Sequence, residues 1–353
     1  MQPKKKVLFL YFELAGYFIA CIEKFSSLFN VEIHVIRFPL NPVAPFQFQL
    51  NDHIKYYEKK NYNREELIAL AEKINPDLIY TCGWSDKDYM AISKYFKKRI
   101  PIVLTLDNPW LGSFRQHMAS VIAPLFLKRI FTHCWVPGEP NAIFARKLGF
   151  NNNRLITGMY SADYNLFHNY YLRFRESKQK KFPKRFIYVG RYTELKGVRE
   201  LWQAFVQLQQ QQPNELELWC LGKGELDAEF PKHEKIKNFG FVQPDQLSNY
   251  IEQTGVFILP THYEHWGVVV HEFAAAGFPM ICSNTTSAAT TFLKDAYNGY
   301  YTQPKDVASV LQALQKIISL RDSSLIEMSE HSVELSKQIT PESWSKTLNN
   351  LLN

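Results

Sequence analysis

The chain has 353 residues, more than a single hydrophobic core usually serves, so we expect two domains of about 150–180 residues each. Its hydrophobic and charged fractions, 46% and 21%, are ordinary for a folded globular protein. The net charge of +7 favours an anionic substrate or an anionic membrane surface, although solvated helix ends and loops would also explain most of the basic clusters. No nucleic-acid-binding motif accompanies the charge, so we expect no nucleic-acid partner.

The N-terminus imitates an export signal, because Lys4–Lys6 precede an apolar run that extends to Cys21. Glu13 interrupts that run, and Phe18 stands where a lipoprotein cleavage site usually has leucine. The five cysteines are scattered without a CxxC pair, which fits a reducing compartment. We therefore expect a cytoplasmic protein. Peripheral contact with the inner face of an anionic membrane is an alternative that the basic and aromatic N-terminal half leaves open.

Strand-like and helix-like segments alternate along the chain, which predicts an α/β protein with parallel sheets and helices on both faces. Amphipathic helices are expected at 64–74 and 113–128 in the first half. A polar, basic stretch at 171–184 is predicted to link a first domain (1–170) to a second domain (185–340). The predicted strands are 7–11, 31–37, 78–81, 102–106, 132–136, 155–159, 186–189, 217–221, 236–239, 256–259, 280–283 and 299–301.

The first motif that can carry chemistry follows the strand at 186–189. Ligands of open parallel sheets bind at the carboxyl ends of the strands. Gly190 would let the backbone approach such a ligand closely, and Arg191 and Lys196 could neutralise a diphosphate. The alternative is a plain strand–turn–helix with two solvated cations, and these residues alone do not decide between the two.

The second motif spans 259–281, where a strand, a polar loop and a helix follow one another. Glu264 lies on the loop, and Glu272 lies within the helix that begins near Gly267. A phosphate at Gly267 and Val268 would have one carboxylate on either side, because a helix N-terminus favours anions. Carboxylates accept hydrogen bonds from vicinal hydroxyls, so one glutamate could hold a ribose and the other a sugar. The alternative is a capping Glu264 with an exposed Glu272.

Together with two further glycine turns, these motifs resemble glycosyltransferase family 4, whose members are retaining enzymes of the GT-B fold. The resemblance covers about residues 185–300 and is most specific in the paired-glutamate motif, E-x-F-G-x-x-x-x-E, in which Trp266 replaces the phenylalanine. The GxG at Gly222 and Gly224 is weak evidence by itself. The matching residues are Gly190, Arg191, Lys196, Gly197, Gly222, Gly224, Gly240, Phe241, Val242, Glu264, Trp266, Gly267, Glu272, Ala274, Ala276, Gly277 and Pro279.

The resemblance implies two Rossmann-like domains facing a cleft, with the final helix (341–353) crossing back to the first domain. It implies transfer of a hexose from a nucleotide-diphosphate sugar on the second domain to a glycan or lipid-linked acceptor, as in surface polysaccharide or glycolipid biosynthesis. Neither a cofactor nor a metal would be required. A GT-B nucleotide-sugar epimerase and a nucleotide-sugar-binding protein without turnover remain as alternatives.

The resemblance also implies a set of site residues. The expected catalytic residues are Glu264, Arg191, Lys196 and Asp107. Glu264 is expected to face the sugar and Glu272 the ribose. The expected donor-binding residues are Gly190, Arg191, Lys196, Gly222, Gly240, Phe241, Val242, Glu264, His265, Trp266, Gly267, Val268 and Glu272.

Three features depart from the family pattern. The turn after the first strand is ELAGYF rather than glycine-rich, and SNTTSAATTF after the paired glutamates contains no glutamate. Asp107 stands where the family often has a histidine. These changes leave sugar and acceptor specificity open. A DxD at Asp86–Asp88 matches the metal–diphosphate signature of another glycosyltransferase fold, but it lies outside the expected donor domain at a helix start, where acidic residues are favoured anyway.

Overall fold

The computed structural model of the protein describes residues 3–39 and 51–352, and their contacts divide the chain into two compact units. The first unit contains Met1–Asp163 and Ile339–Asn353, and the second contains Tyr164–Gln338. Each unit is built on an open sheet whose described strands all run parallel, and the two sheets have seven and six strands. The expected architecture of two Rossmann-like domains is therefore confirmed.

In the first unit the strand order is β3-β2-β1-β4-β5-β6-β7. The strand order reverses between β1 and β4, and such a switch point leaves a crevice at the carboxyl ends of the strands. The elements are β1 (Lys5–Tyr11), α1 (Gly16–Leu28), β2 (Val31–Arg37), β3 (Ile54–Glu58), α2 (Arg64–Ile74), β4 (Leu78–Cys82), α3 (Lys87–Phe96), β5 (Ile102–Thr105), α4 (Phe114–Ile122), α5 (Leu127–Ile130), β6 (His133–Trp135), α6 (Glu139–Lys147) and β7 (Leu155–Ile156).

The second unit repeats this plan with the order β10-β9-β8-β11-β12-β13, which reverses between β8 and β11. The elements are α7 (Tyr164–Lys180), β8 (Arg185–Val189), α8 (Val198–Gln211), β9 (Glu217–Leu221), β10 (Ile236–Asn238), α9 (Ser248–Gln253), β11 (Val256–Leu259), α10 (Val268–Ala275), β12 (Met280–Ser283), α11 (Ala289–Phe292), β13 (Gly299–Thr302), α12 (Val307–Ser319) and α13 (Asp322–Ser336).

The final helix, α14 (Pro341–Leu352), packs against α1 of the first unit. Trp344 is buried there, with its ring 5.2 Å from that of Trp135 and its indole N–H donating to the carbonyl oxygen of Met159 at 2.9 Å. A large apolar side chain with its one polar atom satisfied stabilises such a contact. The prediction that the final helix returns to the first domain is thus confirmed.

Most of the predicted linker, 171–184, is helical, because residues as far as Lys180 continue helix α7. Phe167, Tyr170 and Phe174 are buried along one side of that helix. Their spacing is that of a core-facing helical stripe, but the basic residues beside and after them, Arg173, Arg175, Lys178 and Lys180, disguised it. The strand β3 was missed as well, because Ile54 is its only buried residue and no apolar run marks it.

The two loops that follow β8 and β11 pack so closely that only glycine fits at position 197. Gly197 has a φ of +64°, and a Cβ atom there would overlap the carbonyl oxygen of Pro260. Gly240 has nearly the same φ, +66°, but its added Cβ would meet only the flexible end of Lys223 at 3.2 Å. The first glycine is therefore fixed by packing as well as by backbone conformation.

We expect Gly197→Ala to lower the free energy of unfolding of the second unit by about 2–4 kcal/mol, the usual cost of strain combined with a steric overlap. Gly240→Ala is the matched control and should cost only about 1 kcal/mol, since it pays for the left-handed backbone alone. Urea unfolding followed by circular dichroism measures both values. Equal values for the two variants would contradict the close approach of the loops.

Candidate active site

The candidate site lies at the point where the strand order of the second sheet reverses. The loop after β8 (190–197) and the loop after β11 (260–267) leave neighbouring parallel strands at the same edge. Open parallel sheets bind ligands at this position, because the chain departs in opposite directions and leaves a crevice between the loops. The two motifs found in the sequence are therefore neighbours in space.

Lys196 and Glu264 form an ion pair between these loops. The Lys196 ammonium contacts Oε2 of the Glu264 carboxylate, and the two side chains are only 19% and 17% exposed. Either charge alone would be costly at this depth, whereas the pair satisfies both. The structure thus brings together two of the residues that the sequence predicted to act on the same ligand.

Hydrogen bonds hold the two loops in register. The carbonyl oxygen of Leu195 accepts from the backbone N–H of His262 at 2.9 Å and from the Thr261 hydroxyl at 2.6 Å. The buried His262 ring places Nε2 2.8 Å from a carboxylate oxygen of Glu200, on the first turn of α8. The position of Lys196 is therefore set by contacts on both sides of it.

The loop after β12 supports the backbone of Glu264. The N–H of Glu264 donates to the carbonyl oxygen of Thr285 at 3.3 Å, and the Ser287 hydroxyl donates to the carbonyl oxygen of Glu264 at 3.2 Å. This is the segment that departs from the family pattern and lacks a glutamate. Sequence analysis missed its supporting role, although a run of small hydroxyl residues directly after a buried strand is a usable signal.

Helix α10 starts beside the ion pair. Gly267, at its N-cap, has a φ of +91°, and no side chain caps the first turn. The suggested alternative that Glu264 caps this helix is therefore wrong, because its carboxylate pairs with Lys196 instead. The uncapped first turn leaves helix N–H groups and the positive end of the helix dipole next to Lys196 and Glu264, an arrangement that favours an anion.

Three predicted glycines line the carboxyl edge of β8, β9 and β10. Gly190 donates its N–H to the carbonyl oxygen of Leu221 at 3.0 Å, and Gly222 donates to the carbonyl oxygen of Gly240 at 2.7 Å. A Cβ at Gly222 would overlap the carbonyl oxygen of Gly190. The structure accounts for Gly222 by the packing of one loop on another, with no ligand required.

The remaining predicted donor residues differ in exposure. Arg191 is exposed on the same loop as Lys196, whereas His265, Val268 and Glu272 are half-buried, Glu272 being the fifth residue of α10. Phe241 and Val242 are also half-buried, directly after Gly240. Trp266, also a predicted donor residue, is the most buried of this group. It is only 2% exposed and packs on Phe292 with ring centroids 6.1 Å apart, so it belongs to the core behind the loop.

His271, next to Glu272, is a packing residue. It is fully buried, its Nε2 lies 2.9 Å from the carbonyl oxygen of Ser336, and its ring stacks on Phe292 at 4.1 Å. Burial disfavours the imidazolium and lowers the pKa of His271 to about 4. The ring is therefore neutral at physiological pH and donates to the carbonyl from Nε2.

Asp107 lies in the first unit, just after β5. Its carboxylate accepts a hydrogen bond from the Tyr160 hydroxyl at 3.3 Å, and its carbonyl oxygen accepts one from the Asn141 amide. Asp107 also lines a cavity at the switch point between β1 and β4, together with Tyr11 and Cys82 among others. The first unit thus has its own crevice at the edge where a ligand of such a sheet would bind.

The DxD of the first unit is an ion-pair network at a helix start. Asp86 caps α3 through the N–H groups of Asp88 and Tyr89. Lys59 contacts both carboxylates, at 3.0 Å and 2.8 Å, and Arg64 contacts Asp88 at 3.0 Å. The hydrogen bond from Lys59 holds the pKa of Asp88 below its ordinary value. These acids are therefore accounted for by capping and by cations.

Two general features of the described residues, 3–39 and 51–352, bear on partners. Within those ranges no helix is both long enough and apolar enough to cross a bilayer. Within the same ranges there is no group of three or more His, Cys, Asp or Glu side chains arranged as metal ligands.

Comparisons with known proteins agree with this geometry. An uncharacterized glycosyltransferase of Methanocaldococcus jannaschii is 27% identical over 143 residues, which cover 38% of this chain and 36% of the relative. Glycogen synthase of Mycobacterium tuberculosis is 23% identical over 258 residues, which cover 69% of this chain and 60% of the relative. The matches thus span only part of these curated relatives.

The fold is shared over the whole chain. The crystal structure of Anabaena HepE in complex with UDP and glucose has a TM-score of 0.71 at 14% identity and covers 99% of both chains. Residues 172–337 match the family model described as glycosyl transferases group 1, and this range contains Lys196, Glu264 and α10. Residues 172–337 are thus similar to group 1 glycosyl transferases, and the chain has the GT-B fold.

Proposed function

We propose that this chain transfers a hexose from a nucleotide-diphosphate sugar, bound by the second unit, to a glycan or lipid-linked acceptor. The observation that carries the proposal is the half-buried Lys196–Glu264 pair at the switch point of the second sheet, beside the uncapped start of α10. A cation and a helix N-terminus favour a diphosphate, and a carboxylate can accept hydrogen bonds from sugar hydroxyls. The family match over 172–337 supports the same assignment.

The proposed chemistry follows from charge. As the bond between the sugar and the diphosphate breaks, the leaving diphosphate gathers negative charge. Lys196, Arg191 and the N–H groups at the start of α10 would stabilise that charge, and groups fixed in place before the reaction are the most effective. Glu264 would accept a hydrogen bond from a sugar hydroxyl, and Glu272 would hold the ribose.

We propose that the sugar keeps its anomeric configuration. Glu264 is already paired with Lys196, which makes its carboxylate a poor candidate for a protein nucleophile. Attack from the face that the diphosphate leaves, assisted by the departing phosphate oxygen, needs no such nucleophile. For the acceptor, we propose the crevice of the first unit that Asp107 lines.

The donor and the pathway are further proposals. Anabaena HepE is described in complex with UDP and glucose, which makes UDP-glucose the first donor to test on this chain. A relative from Staphylococcus aureus is described as a capsular polysaccharide biosynthesis glycosyltransferase, and it supports a polysaccharide or glycolipid as product. Asp107, in place of the histidine that the family often has, is expected to affect the choice of acceptor.

A thermal-shift screen of nucleoside diphosphates and nucleotide sugars tests the donor site, because a ligand that binds only the folded state stabilises it by mass action. We expect at least one nucleoside diphosphate to raise the midpoint for the intact chain and to lose most of that effect in Lys196→Met. No shift with any ligand, or an equal shift in the variant, would move the donor site elsewhere.

Turnover should proceed without a divalent metal, because Lys196 and Arg191 would supply the positive charge that a metal otherwise brings to a diphosphate. We expect the turnover rate to stay within about twofold after the protein is treated with a chelator. Removal of a catalytic metal would cost several kcal/mol of transition-state stabilisation and would slow turnover far more. Activity that disappears with the chelator and returns with manganese would contradict the proposal.

A further inference from the structure

Helix α4 (Phe114–Ile122) contains no buried residue, although it is rich in apolar side chains. Phe114 is 81% exposed, Val121 73% and Leu125, just after the helix, 64%. Apolar residues at this spacing share one face of a helix, and that face is normally the one that packs on the core. The exposed apolar side chains of this segment are Leu111, Phe114, Met118, Val121, Ile122 and Leu125.

The other face of α4 attaches the helix to the first unit. The Gln116 side-chain amide donates to the carbonyl oxygen of Pro109 at 2.7 Å, and its oxygen accepts from the N–H of Leu111 at 2.7 Å. Ala119 packs against the core, and Ala123 is buried. Small and polar residues therefore face the protein, and the large apolar ones face solvent.

Charge distinguishes this surface from an ordinary protein-binding patch. No aspartate or glutamate occurs from Asn108 to Gly138. Arg115, Lys128 and Arg129 are all exposed within that stretch. Apolar side chains flanked by cations match the boundary of an anionic bilayer. There the apolar side chains enter the acyl region, and the cations contact the anionic headgroups. A second copy of the chain fits less well, because it would bring these like charges together.

We propose that residues 111–129, which we name the α4 surface, dock the protein onto an anionic lipid bilayer. The exposed apolar face of α4 enters the headgroup boundary, and Arg115, Lys128 and Arg129 lie against the lipid phosphates. The α4 surface belongs to the first unit and shares no residue with the proposed donor site, so the proposal stands independently of the transfer reaction.

Co-sedimentation of the full chain with vesicles tests the proposal. We expect binding to phosphatidylglycerol–phosphatidylcholine vesicles at low salt and much weaker binding to pure phosphatidylcholine vesicles. The triple variant Phe114→Ser, Val121→Ser, Leu125→Ser should bind the anionic vesicles about tenfold more weakly or worse. The matched control is Leu28→Ser with Leu172→Ser, two exposed leucines outside the α4 surface, at 46% and 47%, and it should bind as the unaltered chain does.

A second variant tests the cations. Arg115→Gln, Lys128→Gln, Arg129→Gln should lose the preference for anionic lipid and most of the salt dependence. Failure of the unaltered chain to bind either vesicle would overturn the proposal, as would undiminished binding by the serine variant. A dimer that the serine variant abolishes would show that the surface joins two copies instead. An unchanged circular dichroism spectrum would show that both variants are folded. Unchanged nucleoside-diphosphate binding would show that the donor site is intact in both.

Discussion

Replacement of Lys196 by methionine should weaken nucleoside-diphosphate binding by about 1.5–3 kcal/mol, the range for a hydrogen bond to a charged group. It should also lower the free energy of unfolding by about 1–3 kcal/mol, because it leaves the half-buried Glu264 carboxylate without its cation. Methionine keeps the length of the lysine stem, so the packing of the loop changes little. Isothermal titration calorimetry measures the first effect, and urea unfolding measures the second.

The Lys235–Glu215 pair is the matched control for stability. Lys235 is 22% exposed, close to the 19% of Lys196, but its partner is 95% exposed. Lys235→Met should therefore lower the free energy of unfolding much less than Lys196→Met does, as for other solvent-exposed pairs. The double variant Lys196→Met, Glu264→Gln should regain part of the stability that Lys196→Met loses, and a double-mutant cycle measures that interaction. Full additivity in that cycle would show that the two residues do not interact.

Arg191 separates binding from stability, because its side chain is exposed on the same loop. Arg191→Ala should weaken nucleoside-diphosphate binding and leave the unfolding midpoint unchanged. The contrast with Lys196→Met follows from burial. Lys196 already pairs with the half-buried Glu264, whereas the exposed Arg191 side chain would pair with the diphosphate when it binds. Unchanged nucleoside-diphosphate affinity in both variants would show that the diphosphate does not bind at this loop.

The second large effect concerns the two glutamates. Glu264→Gln should lower kcat by about 100-fold or more and leave nucleoside-diphosphate affinity nearly intact, because a contact to the sugar that tightens in the transition state acts mainly on turnover. Glu272→Gln should instead weaken binding of the free nucleoside diphosphate, since its expected partner is the ribose. Steady-state kinetics and calorimetry on both variants give the two parameters separately.

Glutamine keeps the size of glutamate, so each variant serves as a control for the other. At Glu264 the substitution also leaves Lys196 without its carboxylate, and a circular dichroism spectrum and an unfolding curve are needed to exclude a structural cause. The opposite pattern, with Glu272 controlling turnover and Glu264 controlling affinity, would show that the two roles are reversed. Near-normal turnover and affinity in both variants would show that the active site does not lie in this part of the second unit.

The fold was largely predictable, because the strands that build both sheets are continuous apolar runs. Val7–Tyr11 and Val256–Leu259 are buried on both faces of their sheets and are followed by turn residues, which is the pattern of a parallel strand. The sequence also placed Lys196 and Glu264 on loops that follow strands and assigned both to one ligand, but it did not predict that they pair with each other. Which strands are neighbours, however, depends on the order of the sheet, and no local pattern encodes that order.

The features that escaped prediction are those that depend on distant residues. His262 is paired with Glu200, 62 positions away, and Glu264 is supported by Thr285 and Ser287 from another loop. Hydrogen bonds of this kind leave no periodic trace in the sequence. The burial of Trp266 was not predicted for a related reason, because a motif position does not reveal whether an aromatic side chain packs into the core.

Product analysis after incubation with nucleotide sugars and candidate acceptors tests the central proposal most directly. Liquid chromatography with mass spectrometry would measure the nucleoside diphosphate released and the glycoside formed. We predict equal amounts of both, with the anomeric configuration of the donor retained, and with neither produced by Glu264→Gln at a comparable rate. A sugar that changes configuration without release of nucleoside diphosphate would identify an epimerase, and binding without either product would identify a nucleotide-sugar-binding protein; each would contradict the proposed transferase.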